Sequence, residues 1–226
     1  MSLTTGAVSG TFLALLTPAE QIAISELGAH RNYPRGAVLM YEREPGDHVM
    51  VLQSGRAKVS RVEAGGHETL LSIRDPGDIL GELAFIDGAA RLASVTALEP
   101  VDARVITSSV FRKHLETAPR VAVALLEVIT NRLRDTTIKR TQFLGSDTIG
   151  RLAARIVELA DRYGTAGAEG VEIELALSQD ELASWTAASR AGVAKALQTL
   201  RDLGWIETHR RRLVVRDLEA LRSRSA

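Results

Sequence analysis

A chain of 226 residues that is 45% hydrophobic and 25% charged is long enough for one large domain or two small ones, and too apolar to be disordered. Its 28 Lys and Arg balance its 28 Asp and Glu, which excludes a protein that coats DNA by bulk charge but leaves room for a local basic patch. With no cysteine, disulfides, iron–sulfur clusters, Cys-ligated zinc and a thiol nucleophile are excluded together. The first ten residues carry no basic segment followed by an apolar run, and the longest apolar stretch, Val121 to Leu126, stops at Glu127. Neither a signal peptide nor a membrane span is expected, and the expected location is cytoplasmic.

Thr17-Pro18-Ala19-Glu20 predicts the start of a short helix, with Thr17 as cap, Pro18 in the first turn and Glu20 closing a capping box. From Arg31 to Thr107 the pattern changes. Short β-prone runs (Ala37–Tyr41, His48–Gln53, Ala57–Val62, Glu68–Ile73, Ser94–Leu98 and Asp102–Ile106) alternate with Gly, Pro and Asp turn signals. Many short strands at near-regular spacing predict a barrel or jelly roll. Ser109 to Thr117 reads as a short helix. A long helix then runs from Pro119 to about Leu144 without interior Gly or Pro, near ~40 Å at the α-helical rise. Val121, Leu125 and Val128 mark one apolar stripe; Leu126, Ile129 and Leu133 mark another beside it. One stripe suits the β domain and the other a partner helix. Gly145-Ser146-Asp147 reads as a hinge.

The remainder predicts a second domain. Asp147 to Tyr163 is amphipathic, Gly164 to Gly170 reads as a loop, and Val171 to Leu177 alternates like a strand. Ser178 caps a helix over Gln179–Trp185, with Glu181 closing its capping box. A break at Thr186–Ala188 follows, and Ser189 caps a helix over Arg190–Leu203 whose Val193, Leu197 and Leu200 recur at helical spacing. This is the spacing of a helix-turn-helix, whose second helix enters the major groove. Arg190 stands in its first turn and suits bidentate contact with guanine; Lys195, five positions on, suits guanine or phosphate. A hairpin around Arg210–Arg212 completes the pattern. Asp147 to Ala188 holds three basic and eight acidic residues, whereas Ser189 to Ala226 holds nine basic and four acidic, so positive charge collects where DNA is to be met.

A second signal lies in the β region. Gly81-Glu82-Leu83 follows a strand and Arg91-Leu92-Ala93-Ser94 begins another. The glycine exposes backbone N–H groups, Glu82 can accept sugar hydroxyls, and Arg91 can neutralise a phosphate bidentately.

In order and spacing these motifs resemble the CRP/FNR family of bacterial transcription regulators, over roughly Phe12 to Arg222. The resemblance rests on Glu44-Pro45-Gly46-Asp47, Ser54-Gly55, Gly81-Glu82-Leu83 to Arg91, Asp147-Thr148-Ile149-Gly150-Arg151, Leu177 to Ala183, and Ser189-Arg190. It implies an α+β chain. Residues 1–118 would form a cyclic-nucleotide-binding β jelly roll, 119–145 a dimerisation helix and hinge, and 146–226 a winged helix-turn-helix. It implies ligand contacts at Gly81, Glu82, Leu83, Arg91, Leu92 and Ala93. Thr136 and Thr137, matched by counting back from Gly150-Arg151, would meet the adenine, one contact coming from the partner subunit. It implies DNA contacts at Ser178, Gln179, Ser189, Arg190, Ala191, Lys195, Arg210 and Arg211. The implied ligand is cAMP, and the implied partners are a second copy, double-stranded DNA with an imperfect palindrome, and RNA polymerase.

The chain departs from the family at four places. Leu92 replaces the Ser or Thr of its cAMP binders, removing a hydroxyl donor and weakening cAMP. Ala187 replaces the usual turn Gly and is strained if φ is positive. Ala191 replaces a Glu that would accept from a cytosine amine. The wing turn lacks Gly. The five histidines are scattered without metal-ligand spacing, so neither metal nor haem is expected. That also disfavours a cupin-like enzyme on the same jelly roll, and no enzyme activity is expected. A regulator of the same fold that needs no ligand, or uses another, remains the alternative, followed by a nucleotide sensor acting on a protein partner.

Overall fold

The first helix begins where its capping residues put it. In the computed structural model, α1 (Pro18–Glu26) starts at Thr17, whose backbone N–H donates to Glu20 Oε2 at 2.7 Å while its hydroxyl accepts from Glu20 N. The described residues are 8–225 apart from 9, 64, 175, 176, 210 and 211 and the side chains of 141–144. The chain divides into two compact units, 1–134 and 135–226.

In the first unit eight described strands form two antiparallel sheets. They are β1 (Ala29–Tyr33), β2 (Val38–Met40), β3 (His48–Ser54), β4 (Ala57–Val62), β5 (Glu68–Arg74), β6 (Ile79–Leu80), β7 (Ser94–Ala97) and β8 (Val101–Thr107). One sheet has the order β1-β8-β3-β6 and the other β2-β7-β4-β5, the double-sheet arrangement of a jelly roll. Two of these strands carried no signal in the sequence. β1 is almost wholly exposed and owes its existence to pairing with β8, from Ala29 opposite Val105 to Tyr33 opposite Val101. β6 has two residues, too few for any period to show.

β3 is buried on both faces. Val49 and Val51 join one core cluster with Phe12, Ile24, Ile106 and Phe111; Met50 and Leu52 join another with Leu39, Val95 and Val101. A short helix, α2 (Glu82–Asp87), lies between β6 and β7, and α3 (Ser108–Thr117) and α4 (Pro119–Gly145) follow β8. Val121, Ala124, Leu125 and Val128 of α4 pack into the first cluster, each large side chain contributing roughly 1.5–3 kcal/mol. On the other stripe Leu126 and Leu133 are exposed, together with Val123. Ile129 stands apart from that stripe because it packs partly against the core.

The second unit contains α5 (Thr148–Tyr163), the hairpin β9 (Gly164–Gly167) and β10 (Gly170–Ile173), then α6 (Gln179–Trp185) and α7 (Arg190–Asp202). The strands β11 (Ile206–His209) and β12 (Arg212–Val215) and the helix α8 (Leu218–Ser225) complete it. Its sheet has the order β11-β12-β10-β9. The segment 164–170, read as a loop, thus supplies an edge strand: Gly-Thr-Ala-Gly has no β pattern and is recruited by the ladder with β10. The strand expected to reach Leu177 ends at Ile173, and 175–176 lie outside the described residues. Asp147 caps α5 by accepting from Gly150 N at 2.8 Å, and Arg224 of α8 donates to the same carboxylate at 2.6 Å. The Gly150 N–H, followed by Arg224, holds the Asp147 carboxyl below the usual carboxylate range.

Candidate ligand cradle and nucleic-acid interface

Gly81, Glu82 and Arg91 come together in the first unit. Gly81 precedes α2 with φ 77°, a conformation open to glycine and costly for residues with a Cβ. A Cβ built there would lie 2.2 Å from Arg91 Nη1, so any side chain at 81 would displace the guanidinium. Gly46 is needed for a second close approach: its Cβ would meet that of Ala84 at 2.6 Å, and its absence lets the loop before β3 lie on α2. That loop delivers Asp47 and His48. Arg91 is 4% exposed. Its Nη2 donates to the His48 carbonyl at 2.8 Å and lies 3.6 Å from Asp47 Oδ1. Its Nε and Nη1 are buried and have no hydrogen-bond partner among the described residues. The Arg91 backbone is pinned at both ends, its N–H to Glu44 O and its C=O to Arg43 N, each at 2.8 Å.

Burial pushes the Arg91 guanidinium down from its ordinary value, and the carboxylates of Asp47, Glu44 and Glu82 act against that push. The hydrogen bond with His48, and less strongly Arg91, holds the Asp47 carboxyl below the usual range. Glu82 is buried, and its Oε1 accepts from Arg132 Nη1 at 2.8 Å. Arg132 Nη2 donates to Asp78 Oδ1 at 2.8 Å and to the Ile79 carbonyl at 3.0 Å. One guanidinium of α4 thus holds the start of β6 and the first residue of α2. Leu83 and Leu92 are exposed, Leu92 at 57%, and Ala93 is half-buried beside it. Thr136 and Thr137 are exposed on α4, one turn and more beyond Arg132, and belong to the second unit.

Sequence reasoning did not single out Arg132 or the Asp47–His48 pair. Arg132 is one of several arginines on α4, and only its bonds to Asp78 and Glu82 distinguish it.

The helix pair of the second unit is built on its caps. Ser178 accepts from Glu181 N at 3.1 Å and its own N–H donates to Glu181 Oε2 at 2.7 Å, while Ser189 accepts from Gly192 N at 3.0 Å. Between the helices, Ala187 has φ 47°, the left-handed conformation that favours glycine. Arg151 of α5 braces this turn by donating to the Thr186 carbonyl at 2.8 Å. Leu182, Ala183, Trp185, Val193, Leu197 and Leu200 are buried, and Arg155 lies over the Trp185 ring at 4.9 Å. The opposite surface carries Ser178, Gln179, Ser189, Arg190, Ala191 and Lys195, all exposed. Trp185 is therefore core, and Trp205 is half-buried. Arg210 and Arg211, expected in the wing turn, lie outside the described residues, between β11 and β12.

Residues 30–118 match the family model of the cyclic nucleotide-binding domain, and residues 150–224 match that of the Crp-like helix-turn-helix domain. Over 194 residues the chain is 33% identical to a CRP-like cAMP-activated global transcriptional regulator of Mycobacterium tuberculosis, spanning 86% of this chain and 87% of that one. The chain belongs to the CRP/FNR family. It is a DNA-binding transcription regulator with a cyclic nucleotide-binding domain. Solved structures share the fold. FixK2 from Bradyrhizobium japonicum aligns with a TM-score of 0.77 at 19% identity, covering 88% of this chain and 98% of that one. The c-di-GMP responsive global regulator CLP of Xanthomonas campestris aligns with a TM-score of 0.79 at 20% identity, covering 87% and 98%. Among the described residues there is no helix long and apolar enough to cross a membrane and no group of three or more metal-ligating side chains.

Proposed function

We propose that this CRP/FNR protein is a cytoplasmic homodimer whose DNA binding is gated by a cyclic nucleotide, cAMP, held by Gly81, Glu82 and Arg91. The observation that carries the reading is Arg91: a buried cation with two nitrogens, Nε and Nη1, that have no hydrogen-bond partner among the described residues, beside a glycine whose missing side chain admits the guanidinium. An anionic oxygen there gains charge-assisted hydrogen bonds in a low-dielectric site. Glu82 Oε1 is engaged by Arg132, and its second oxygen serves a sugar hydroxyl. Thr136 and Thr137 contact the base, one from each subunit, and Leu83, Leu92 and Ala93 border the phosphate. The function is binding rather than catalysis.

Dimerisation is supported by the exposed Val123, Leu126 and Leu133 of α4, spaced three and seven residues apart on a helix whose other side is already buried. Two copies related along α4 set two α7 helices about one DNA turn apart, ~34 Å, over an imperfect palindrome. Arg190 and Lys195 read bases there, Ser178, Gln179 and Ser189 position the helix, Ala191 reads nothing, and Arg210 and Arg211 meet phosphates. RNA polymerase is the partner that follows from the family.

One observation favours a second reading, a regulator of the same fold with another ligand: Leu92 is 57% exposed and has no hydroxyl for a phosphate. The M. tuberculosis relative is described as cAMP-activated and the Xanthomonas structure as c-di-GMP responsive. Calorimetric titration with cAMP, cGMP and c-di-GMP separates the two. Saturable binding of cAMP supports the first reading, and heat only with another nucleotide, or with none, supports the second.

A further inference from the structure

We infer that Asp180 is a specificity-determining residue of the DNA interface, acting as a positioning residue that orients the guanidinium of Arg190. The inference rests on the reading that α7 presents Arg190 to base edges. Asp180 is the second residue of α6 and Arg190 the first of α7. The turn at Ala187 brings them together across the helix pair, with Arg190 Nε 3.5 Å from Asp180 Oδ1. Both side chains face solvent, at 71% for Arg190 and 66% for Asp180. Among the described residues no other carboxylate lies within ion-pair distance of Arg190.

Three further observations give Asp180 this task. The neighbouring position 191 is alanine, so no acidic side chain follows Arg190 on its own helix. The hydroxyl of Ser189 is committed to Gly192 N. Asp180 itself is not needed to cap α6, because Ser178 and Glu181 complete that box between them. An arginine at the first turn of an exposed helix has many rotamers, and guanine recognition requires two coplanar N–H donors aimed at O6 and N7. A carboxylate on the Nε edge removes that edge from competition and leaves the two terminal nitrogens as the fork. Electrostatics alone argue against an acid on this surface, since it repels phosphates and lowers affinity for all DNA. Positioning and repulsion therefore have opposite signatures when the charge is removed.

Asp180→Asn keeps the shape and removes the charge. In binding selections from random DNA and in titrations of the full-length protein, it should lower the preference for guanine at the base pair assigned to Arg190 by about tenfold. At the same time it should raise affinity for unrelated DNA. Asp180→Glu should recover part of the preference, and Asp180→Asn should have no further effect on it when Arg190 is already alanine. Unchanged thermal unfolding of Asp180→Asn excludes a folding defect as the cause. If Arg190→Ala alters the selected motif but Asp180→Asn leaves the guanine preference intact, Asp180 has no positioning role and the docking reading stands. If Arg190→Ala leaves the motif unaltered, the docking reading fails and the role of Asp180 with it.

Discussion

The ligand cradle and the helix-turn-helix treat their key arginines in opposite ways. Arg91 is buried and keeps two nitrogens without a hydrogen-bond partner among the described residues; Arg190 is exposed and lies beside Asp180. A buried unsatisfied donor costs about 1–3 kcal/mol. The cradle therefore carries a cost that an oxygen bonded to those nitrogens would offset. The helix pair carries none at its surface. Its N-caps are formed by its own residues, and Arg190 and Lys195 are solvent-exposed. A small-ligand site gains from keeping its donors dry and unbonded, whereas a groove-reading surface gains from a rigid scaffold with free side chains. Each unit has an arginine that braces its candidate site: Arg132 across β6 and α2, and Arg151 on the Thr186 carbonyl.

The contrast can be broken most severely at Arg91. Arg91→Ala should remove about 2–5 kcal/mol of nucleotide binding while leaving DNA affinity of the unliganded protein unchanged. Unaltered affinity in calorimetric titration would show that the phosphate is held elsewhere. Leu92→Ser tests the same cradle from the gain side. It should tighten cAMP by up to about tenfold, ~1.4 kcal/mol, because a hydroxyl donor returns. A weaker or equal affinity would mean that position 92 does not face the phosphate.

The remaining expected effects are smaller. An L-residue in the left-handed region costs about 1–2 kcal/mol, and glycine gives back roughly 0.5–1 kcal/mol in chain entropy. Ala187→Gly should therefore stabilise the unit by up to about 1 kcal/mol; a lower melting temperature would show that the turn at φ 47° is not strained. The smallest effect belongs to the surface pair of Glu20 and Arg120. The hydrogen bond from Arg120, then that from Thr17 N, lowers the Glu20 carboxyl from 4.5 to about 2. Its contribution is complete above the ordinary value and is lost as pH falls from about 4.5 towards about 2. The stability difference between the wild type and Arg120→Gln should shrink between pH 6 and pH 3 in denaturant titrations. A difference that stays constant with pH would discount the pair.

What the sequence alone determined is local chemistry and period. The capping boxes at Thr17–Glu20 and Ser178–Glu181, the cap at Ser189, the stripe of Val121, Leu125 and Val128, and the β-prone run His48–Gln53 are each written in residues a few positions apart. Each forms as read because neighbouring atoms satisfy it. The positive φ at Ala187 was also legible, as a family position where glycine had been replaced. The tertiary structure decided whatever depends on distant partners. β1 and β9 have no pattern of their own and exist because β8 and β10 offer unpaired backbone groups. α8 is a helix with one buried apolar residue, Leu221, docked on α5, too faint an amphipathic signal to read. Arg132 became part of the cradle only when α4 crossed β6, and Asp180 met Arg190 only when the turn folded two helices together. Sequence spacing names the donors and acceptors, but which of them end up within bonding distance across fifty residues is settled by packing, where burial and closure act on the whole chain at once.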